Sequence, residues 1–508
     1  MHPDITSDAL RIVLVAPMAA LSVLLLGPPL QQFTIQQVCS DYYADPSHSA
    51  GTLVDGTRDC SVSAVQKQAA TVLAALQLLS AVPGFFVTLL SGHLSDKFGR
   101  KPMFYLAISG LCAEALLVFT ASKLGGIDLL YAAKFCVGIT GGLPTMISTS
   151  VSTLVDLTAR KGQLSEGTNT GSRIAVMSWF DGGILIGMVI GSFAGGALVK
   201  WGGFQLCFFV ATIWALAALL AMVLVVPETH PPSTGRGSTA PLSSDGRPSS
   251  ESRSSLALPR EDRNPWEWLK HGTEFFGGIP AAVIANKLLM AMMFGGHRVV
   301  FVIYAFKMFA WDTWADSLYL ASELSLSALL LVSVVPSLDR FLRSKIASES
   351  TRPSRTEPEG ERSHLVETAE SFDDGLETHA GSARGSDIGI SASVYQIRLL
   401  CTATLVALVC TLFATKSWVL YAVLPLTCLG IGVLSITKAL INEYIPSDRV
   451  GVVNSVIATL TSVCDTLSAQ ISIRIFHQFV DVHPASVYVY FIGLTLAAII
   501  ATFFIVRR

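Results

Sequence analysis

Eight ionisable residues stand out inside long apolar runs of this 508-residue chain: Glu114, Lys134, Asp181, His297, Arg298, Glu323, Lys438 and Asp465. A charge at such a place costs about 2.5 to 3.5 kcal/mol on insertion scales, so it needs a partner, a proton or water. Acids and bases placed this way can relay protons or coordinate a polar solute. Depth along a helix, at about 1.5 Å per residue, limits which of them can meet. Glu114 and Lys134 lie at similar depth on consecutive runs. His297, Arg298 and Glu323 form a second group near the same surface, whereas Asp181 and Lys438 match near the opposite surface, one from each half of the chain. Asp465 sits near mid-depth with no level-matched cation, and Lys287 and Arg474 fit no set. Each residue also has a plain reading, as a packed or snorkelling side chain.

Other chemistries find no support. The chain has no Gly-x-x-x-x-Gly-Lys loop, no His/Cys cluster at metal-ligand spacing and no paired nucleophile and base, so neither an enzyme, a cofactor nor a metal site is expected. A formal charge of −2 and a pI near 6.6 give no reason to expect a nucleic-acid partner.

The elements that hold these residues must span a bilayer. Hydrophobic residues make up 51% and charged residues 14%, against roughly 25% charged in a soluble domain. Apolar runs near 10–33, 68–91, 103–122, 128–156, 174–199 and 204–226 are followed by runs near 279–305, 314–336, 394–415, 418–444, 451–478 and 486–506. Each is long enough to cross the roughly 30 Å hydrocarbon layer. The expectation is an all-α membrane protein of twelve transmembrane helices in two six-helix halves, residues 1–226 and 278–508. Residues 227–277, rich in Ser, Pro and Gly, read as a disordered linker, and 344–393 as a disordered insert in the second half. Within the linker, NPWEWLKHGTEFF suits a short interfacial helix or a plain linker end.

Placing the linker, the insert and both termini on one side leaves only six of the 35 basic residues on the other, which makes that side cytoplasmic. The first external loop, Gln36 to Gln66, carries four Asp and one Arg. Cys39 and Cys60 lie on this polar stretch and could form a disulfide in an oxidising compartment. The other seven cysteines sit in apolar runs as packing residues.

Between spans 2 and 3 lies GHLSDKFGRKP. Its glycines suit a tight turn, its acid can meet a helix N-terminus, and its bases anchor at the cytoplasmic surface. Gly92, Asp96, Lys97, Gly99, Arg100 and Lys101, with Leu94 and Ser95, resemble the signature between helices 2 and 3 of the major facilitator superfamily. Lys134 stands where the family's span-4 motif has arginine, four residues before Gly138. GMVIGSFAGG on span 5, with Gly187, Gly191, Gly195 and Gly196, is similar to the antiporter motif, except that Ser192 replaces proline. Pro227-Glu228-Thr229 is an ending seen in drug-efflux members, and LDRFLRSK after span 8 is a decayed copy of the first motif. VCSDYY after span 1 is similar to some fungal facilitators of secondary-metabolite or unknown substrates.

The resemblance implies a secondary transporter in the plasma membrane, moving a small molecule by alternating access with proton coupling. Efflux by antiport is the leading direction, with proton-coupled import and a transporter-like solute sensor as alternatives. The first motif is then expected to govern conformational exchange. The Gly183, Gly187, Gly191, Gly195 ladder is expected to pack closely on another helix. A small or polar stripe on span 4, from Lys134 through Gly138, Gly141 and Thr145 to Asp156, is expected to line a path, with close packing on another helix as the alternative.

Overall fold

The computed structural model describes residues 7–45, 59–150, 153–154, 170–226, 280–350, 374–444 and 450–505. The 227–277 linker and residues 351–373 of the 344–393 insert lie outside the described residues, as do the side chains of Asp96, Lys97 and Asp181.

Among the described residues the regular structure is helical, because long apolar runs must satisfy every backbone group internally to cross lipid. The helices are α1 Ser7–Ala44, α2 Ser63–Phe98, α3 Arg100–Leu124 and α4 Asp128–Thr140. A continuous helical stretch, Thr170–Val225, breaks at Gly203, whose φ of 74° and ψ of −178° leave the helical region. This break divides it into α5, 170–202, and α6, 204–225. The second half comprises α7 Ala281–Phe309, α8 Thr313–Ser350, α9 Asp374–Leu412, α10 Trp418–Glu443, α11 Val450–Phe479 and α12 Val487–Phe503.

Among the described residues eleven segments are long and apolar enough to cross a membrane, one of them the 44-residue Gly182–Val225. That segment is a hairpin. A Cβ on Gly195 would come within 2.6 Å of the Leu25 carbonyl oxygen, while Cys207 donates to the same carbonyl at 3.6 Å. Further down α1, Gly187 meets Pro17 and the Trp214 indole donates to Met18 O at 3.0 Å. The chain therefore turns back at Gly203 and makes two passes, giving twelve. Helix α1 runs on to Ala44, so Cys39 is buried in its last turns and not in a loop. Helices α8 and α9 extend over 344–350 and 374–393, into the expected insert.

The same pairings recur in both halves. Helix α1 packs on α5 and α7 on α11; α3 packs on α4 and α6 as α9 does on α10 and α12; α2 packs on α4 as α8 does on α10. Between halves, α5 meets α8 and α2 meets α11, again equivalent pairs. Parallel repeats related by an axis along the membrane normal produce this relationship.

The span-5 glycine ladder lies against α1. A Cβ at Gly187 would approach Pro17 O to 2.3 Å and one at Gly191 would approach Leu21 O to 2.5 Å, so only glycine lets the two backbones come this close. The upper part of the span-4 stripe packs as well, the second of the two readings of it and not the favoured path. Gly138 faces the Leu79 carbonyl of α2, and the Thr145 and Thr88 hydroxyls meet at 3.1 Å.

Candidate functional site

We call the end of the bundle where α1 starts and α12 stops the terminal end, and the opposite one the far end. The two halves meet through a set of far-end contacts. The Gln32 amide on α1 donates to the Asp316 carboxylate on α8, with both side chains buried. Ser192 Oγ on α5 donates to Ser317 O at 3.1 Å. Phe193 packs edge-on to Trp314, and the Lys200 ammonium lies 5.0 Å from the centre of that ring system. On the other side of the bundle, Gln470 on α11 donates to Ala74 O on α2 at 2.9 Å. Lys67 pairs with Asp481, and Lys307 donates to Ser61 O.

The approach to α2 is tied down from within. Cys39 and Cys60 are joined by a disulfide, with Cα atoms 5.4 Å apart. The Tyr43 hydroxyl donates to Asp59 O, Gln66 donates to Cys60 O at 2.7 Å, and the Ser61 hydroxyl and backbone N–H both donate to Asp59. Those two bonds hold the Asp59 carboxyl below the usual carboxylate range.

At the terminal end, Gly99 adopts a φ of 98° between α2 and α3, and its N–H returns to Ser95 O at 3.1 Å. Arg100 is largely buried and donates to Ser95 Oγ at 3.0 Å, and Lys101 lies over the Tyr105 ring. The signature stretch is thus the joint between two membrane helices. Only a residue tolerant of positive φ can make so tight a turn.

The ionisable residues within the spans divide into two sets. Lys134 Nζ on α4 donates to Glu114 Oε1 on α3 at 2.6 Å, a pair inside the first half. In the second half, Arg298 on α7 lies within electrostatic reach of Glu323 on α8 and of Asp465 on α11. Asp465 is packed directly on α7: a Cβ at Gly295 would be 2.8 Å from its Cα. Asp465 also acts on Lys287, which in turn feels Lys438 on α10. Each of Glu323, Arg298, Asp465, Lys287 and Lys438 is thus linked through the electrostatic field to at least one other.

Depth matching brought Arg298 and Glu323 together but left Asp465 without a cation and Lys287 without a role. In the structure Asp465 lies in the field of Arg298 and Lys287, and Lys287 donates to Leu434 O at 3.1 Å. His297, grouped with Arg298 by depth, points elsewhere: its ring sits 5.3 Å from Phe301, 5.8 Å from Tyr488 and 5.8 Å from Phe491, in a buried aromatic layer between α7 and α12. Successive helical residues diverge by 100°, which depth alone does not register. The pairing of Asp181 with Lys438 rests on a side chain outside the described residues; Lys438 itself is exposed. Gln32, Asp316 and Ser317 were not anticipated, although an acid in the first turn of α8 was visible in the sequence.

A family model described as Major Facilitator Superfamily matches residues 15–353. The chain is 31% identical over 155 residues to the tetracycline resistance protein, class E, of Escherichia coli, covering 30% of this chain and 34% of that protein. It is 28% identical over 145 residues to a bicyclomycin resistance protein homolog of Haemophilus influenzae, covering 28% and 33%. The chain thus matches about a third of the length of these relatives. A D-xylose-proton symporter shares the fold, with a TM-score of 0.60 at 14% identity and 98% of each chain covered. Twelve passes in two equivalent halves, the Gly99 joint and a family model spanning residues 15–353 lead to one assignment: this chain belongs to the Major Facilitator Superfamily.

Proposed function

We propose that the protein is a secondary active transporter that moves a small molecule across a membrane by rocking its two halves, with proton coupling and export by antiport. The observation that carries this reading is the set of far-end contacts that join the two halves, beside the ionisable residues held inside spans α7, α8 and α11. Gln32–Asp316, Ser192–Ser317, Gln470–Ala74 and Lys67–Asp481 support a conformation closed at the far end. Alternating access needs contacts of this kind, weak enough individually to break in each cycle.

The excess of basic residues at the terminal end supports a cytoplasmic orientation for it, and hence an inward-facing state. Glu323 and Asp465 support proton coupling, since both are acids held inside spans and both lie in the field of Arg298. Export is favoured by two resistance proteins among the relatives and by the span-5 glycines. Asp96 and Arg100, at the α2–α3 joint, belong in this scheme to conformational exchange and not to solute contact.

The test is flux in reconstituted vesicles of known orientation, using a solute panel that includes tetracycline. An imposed proton gradient is expected to drive solute against the proton flow. Movement with the protons would replace export by import. Binding without any flux would instead identify a sensor.

A further inference from the structure

Asp316 is a carboxyl group set into a contact that the two halves must break to open the far end. It lies in the first turn of α8, about 3% exposed, against Gln32 of α1. Oδ2 accepts from the Gln32 amide, whereas Oδ1 is buried with no protein donor within hydrogen-bond reach. An ionised carboxylate offers about four lone-pair positions and tolerates burial only where they are filled or a cation stands beside it. Among the described residues no Lys, Arg or His is in ion-pair contact with Asp316. The N-terminus of α8 does not make up the shortfall, because the Asp312 carboxylate already caps it, accepting from the Ala315 N–H at 2.9 Å. That charge stands one turn from Asp316, where a second anion is repelled.

The groups on the neighbouring helices do not neutralise it either. On α1 it meets Gln32, an amide; on α5, Ser192 is bonded to Ser317 O and Lys200 lies over the Trp314 ring. On α10, Tyr421 stands 5.4 Å from the Tyr319 ring and within the field of Asp316. Lys307 near the end of α7 is bonded to Ser61 O, and the α9 bond to α8, from Gln396 to Val335 O, is at the opposite end. On α8 itself Glu323 is two turns deeper.

A neutral carboxyl removes the conflict. With the proton on Oδ1, Oδ2 becomes a carbonyl oxygen that still accepts from Gln32, and no unpaired charge is buried. We propose that Asp316 is a proton-operated latch on the far end, taking a proton from far-side water as the halves close on it and returning it to the same side when they part. One O–H bond forms on closing and the same bond breaks on opening, so the latch carries no net proton across the membrane. It makes closure responsive to far-side acidity, separately from the proton coupling proposed for Glu323 and Asp465. Linkage fixes the sign. With the halves parted, Asp316 is hydrated and ionised above about pH 4, the ordinary range for Asp, whereas closure consumes a proton. Lowering the far-side pH therefore favours closure, by up to about tenfold per pH unit for a single proton. The assignment rests on alternating access between the two halves and not on the direction of transport.

The test uses the full chain in vesicles of known orientation, with spin labels on the far-end loops of α5 and α8 and the pH of each face set independently between about 5 and 8. The closed fraction is expected to rise as far-side pH falls and to ignore the pH of the terminal side. Asp316→Asn keeps an acceptor for Gln32 but cannot ionise, so it should stay closed and flat with pH. Asp316→Ala should be open and equally flat, so either variant decides whether the response belongs to Asp316. Four outcomes overturn the latch: a wild-type distribution that ignores far-side pH, a response that follows terminal-side pH, a response retained in either variant, or a folded Asp316→Asn held open. Flux is scored separately. Proton-driven flux with a pH-independent far end removes the latch and leaves the transporter reading standing, whereas an Asp316-dependent response without flux of any solute does the reverse.

Discussion

Ser192 donates its hydroxyl to the carbonyl of Ser317, 3.1 Å away on the other half of the molecule. It stands where the family's span-5 motif carries proline, which has no hydroxyl to give. The departure from the motif thus creates a bond that closes the far end. Ser192→Ala is expected to shift the equilibrium toward far-end opening by about threefold to tenfold, the range for one net hydrogen bond. Distances between spin labels on the far-end loops of α5 and α8 read the shift, and an unchanged distribution would remove the bond from the gate.

Gln32 and Asp316 form a buried side-chain link between the halves, each about 3% exposed. Removing one partner leaves the other desolvated, at a cost of about 1 to 3 kcal/mol. Gln32→Ala and Asp316→Ala should each open the far end. The double variant should fall well short of the sum, because both remove the same contact. Additive effects in a double-mutant cycle would show that the two residues act separately.

Lys67 and Asp481 supply a weaker, pH-dependent clasp. Hydrogen bonds from Lys67 and Ser63 hold the Asp481 carboxyl below the usual carboxylate range. A carboxyl depressed in this way contributes to closure above its ordinary value near about pH 4, and the contribution is lost as pH falls through the lowered value. This pair therefore adds no pH dependence between about pH 5 and 8. Asp481→Asn should change far-end closure by less than about fivefold, since the pair is solvent-exposed, and the effect should shrink in high salt. A dependence centred near neutrality that disappears in Asp481→Asn would contradict this account.

Cys39 and Cys60 close a loop with a sequence separation of 21. Breaking it restores entropy to the unfolded chain, up to about 3 kcal/mol in the loop-closure account. Cys39→Ser should lower the thermal midpoint, and Cys39→Ser with Cys60→Ser should lower it no further. A reductant should affect the wild-type protein alone.

Glycine positions on α5 offer a packing test. A Cβ at Gly187 would collide with the Pro17 backbone, whereas at Gly182 it would meet nothing within 4 Å. Gly187→Ala should spread α1 from α5 and reduce folded yield in detergent, while Gly182→Ala should leave it nearly unchanged. Equal tolerance at both sites would mean that the α1–α5 contact is looser than the geometry indicates.

Twelve passes, the division into sixes and the α2–α3 turn were all legible in the residues, because bilayer thickness, the cost of buried charge and positive φ act locally along the chain. The Glu114–Lys134 pair was legible too, since consecutive helices of opposite direction bring equal depths together. Only the tertiary structure decided azimuth and partner. Rotation about the helix axis turns His297 into the rings of α12 and its neighbour Arg298 toward Glu323 and Asp465. It also carries Lys287, which matched nothing by depth, to the Leu434 carbonyl of α10. The far-end contacts join residues 284 and 125 positions apart, Gln32 with Asp316 and Ser192 with Ser317. Hydropathy measures how deep a residue lies, but which residue it faces across the two halves depends on how the helices pack.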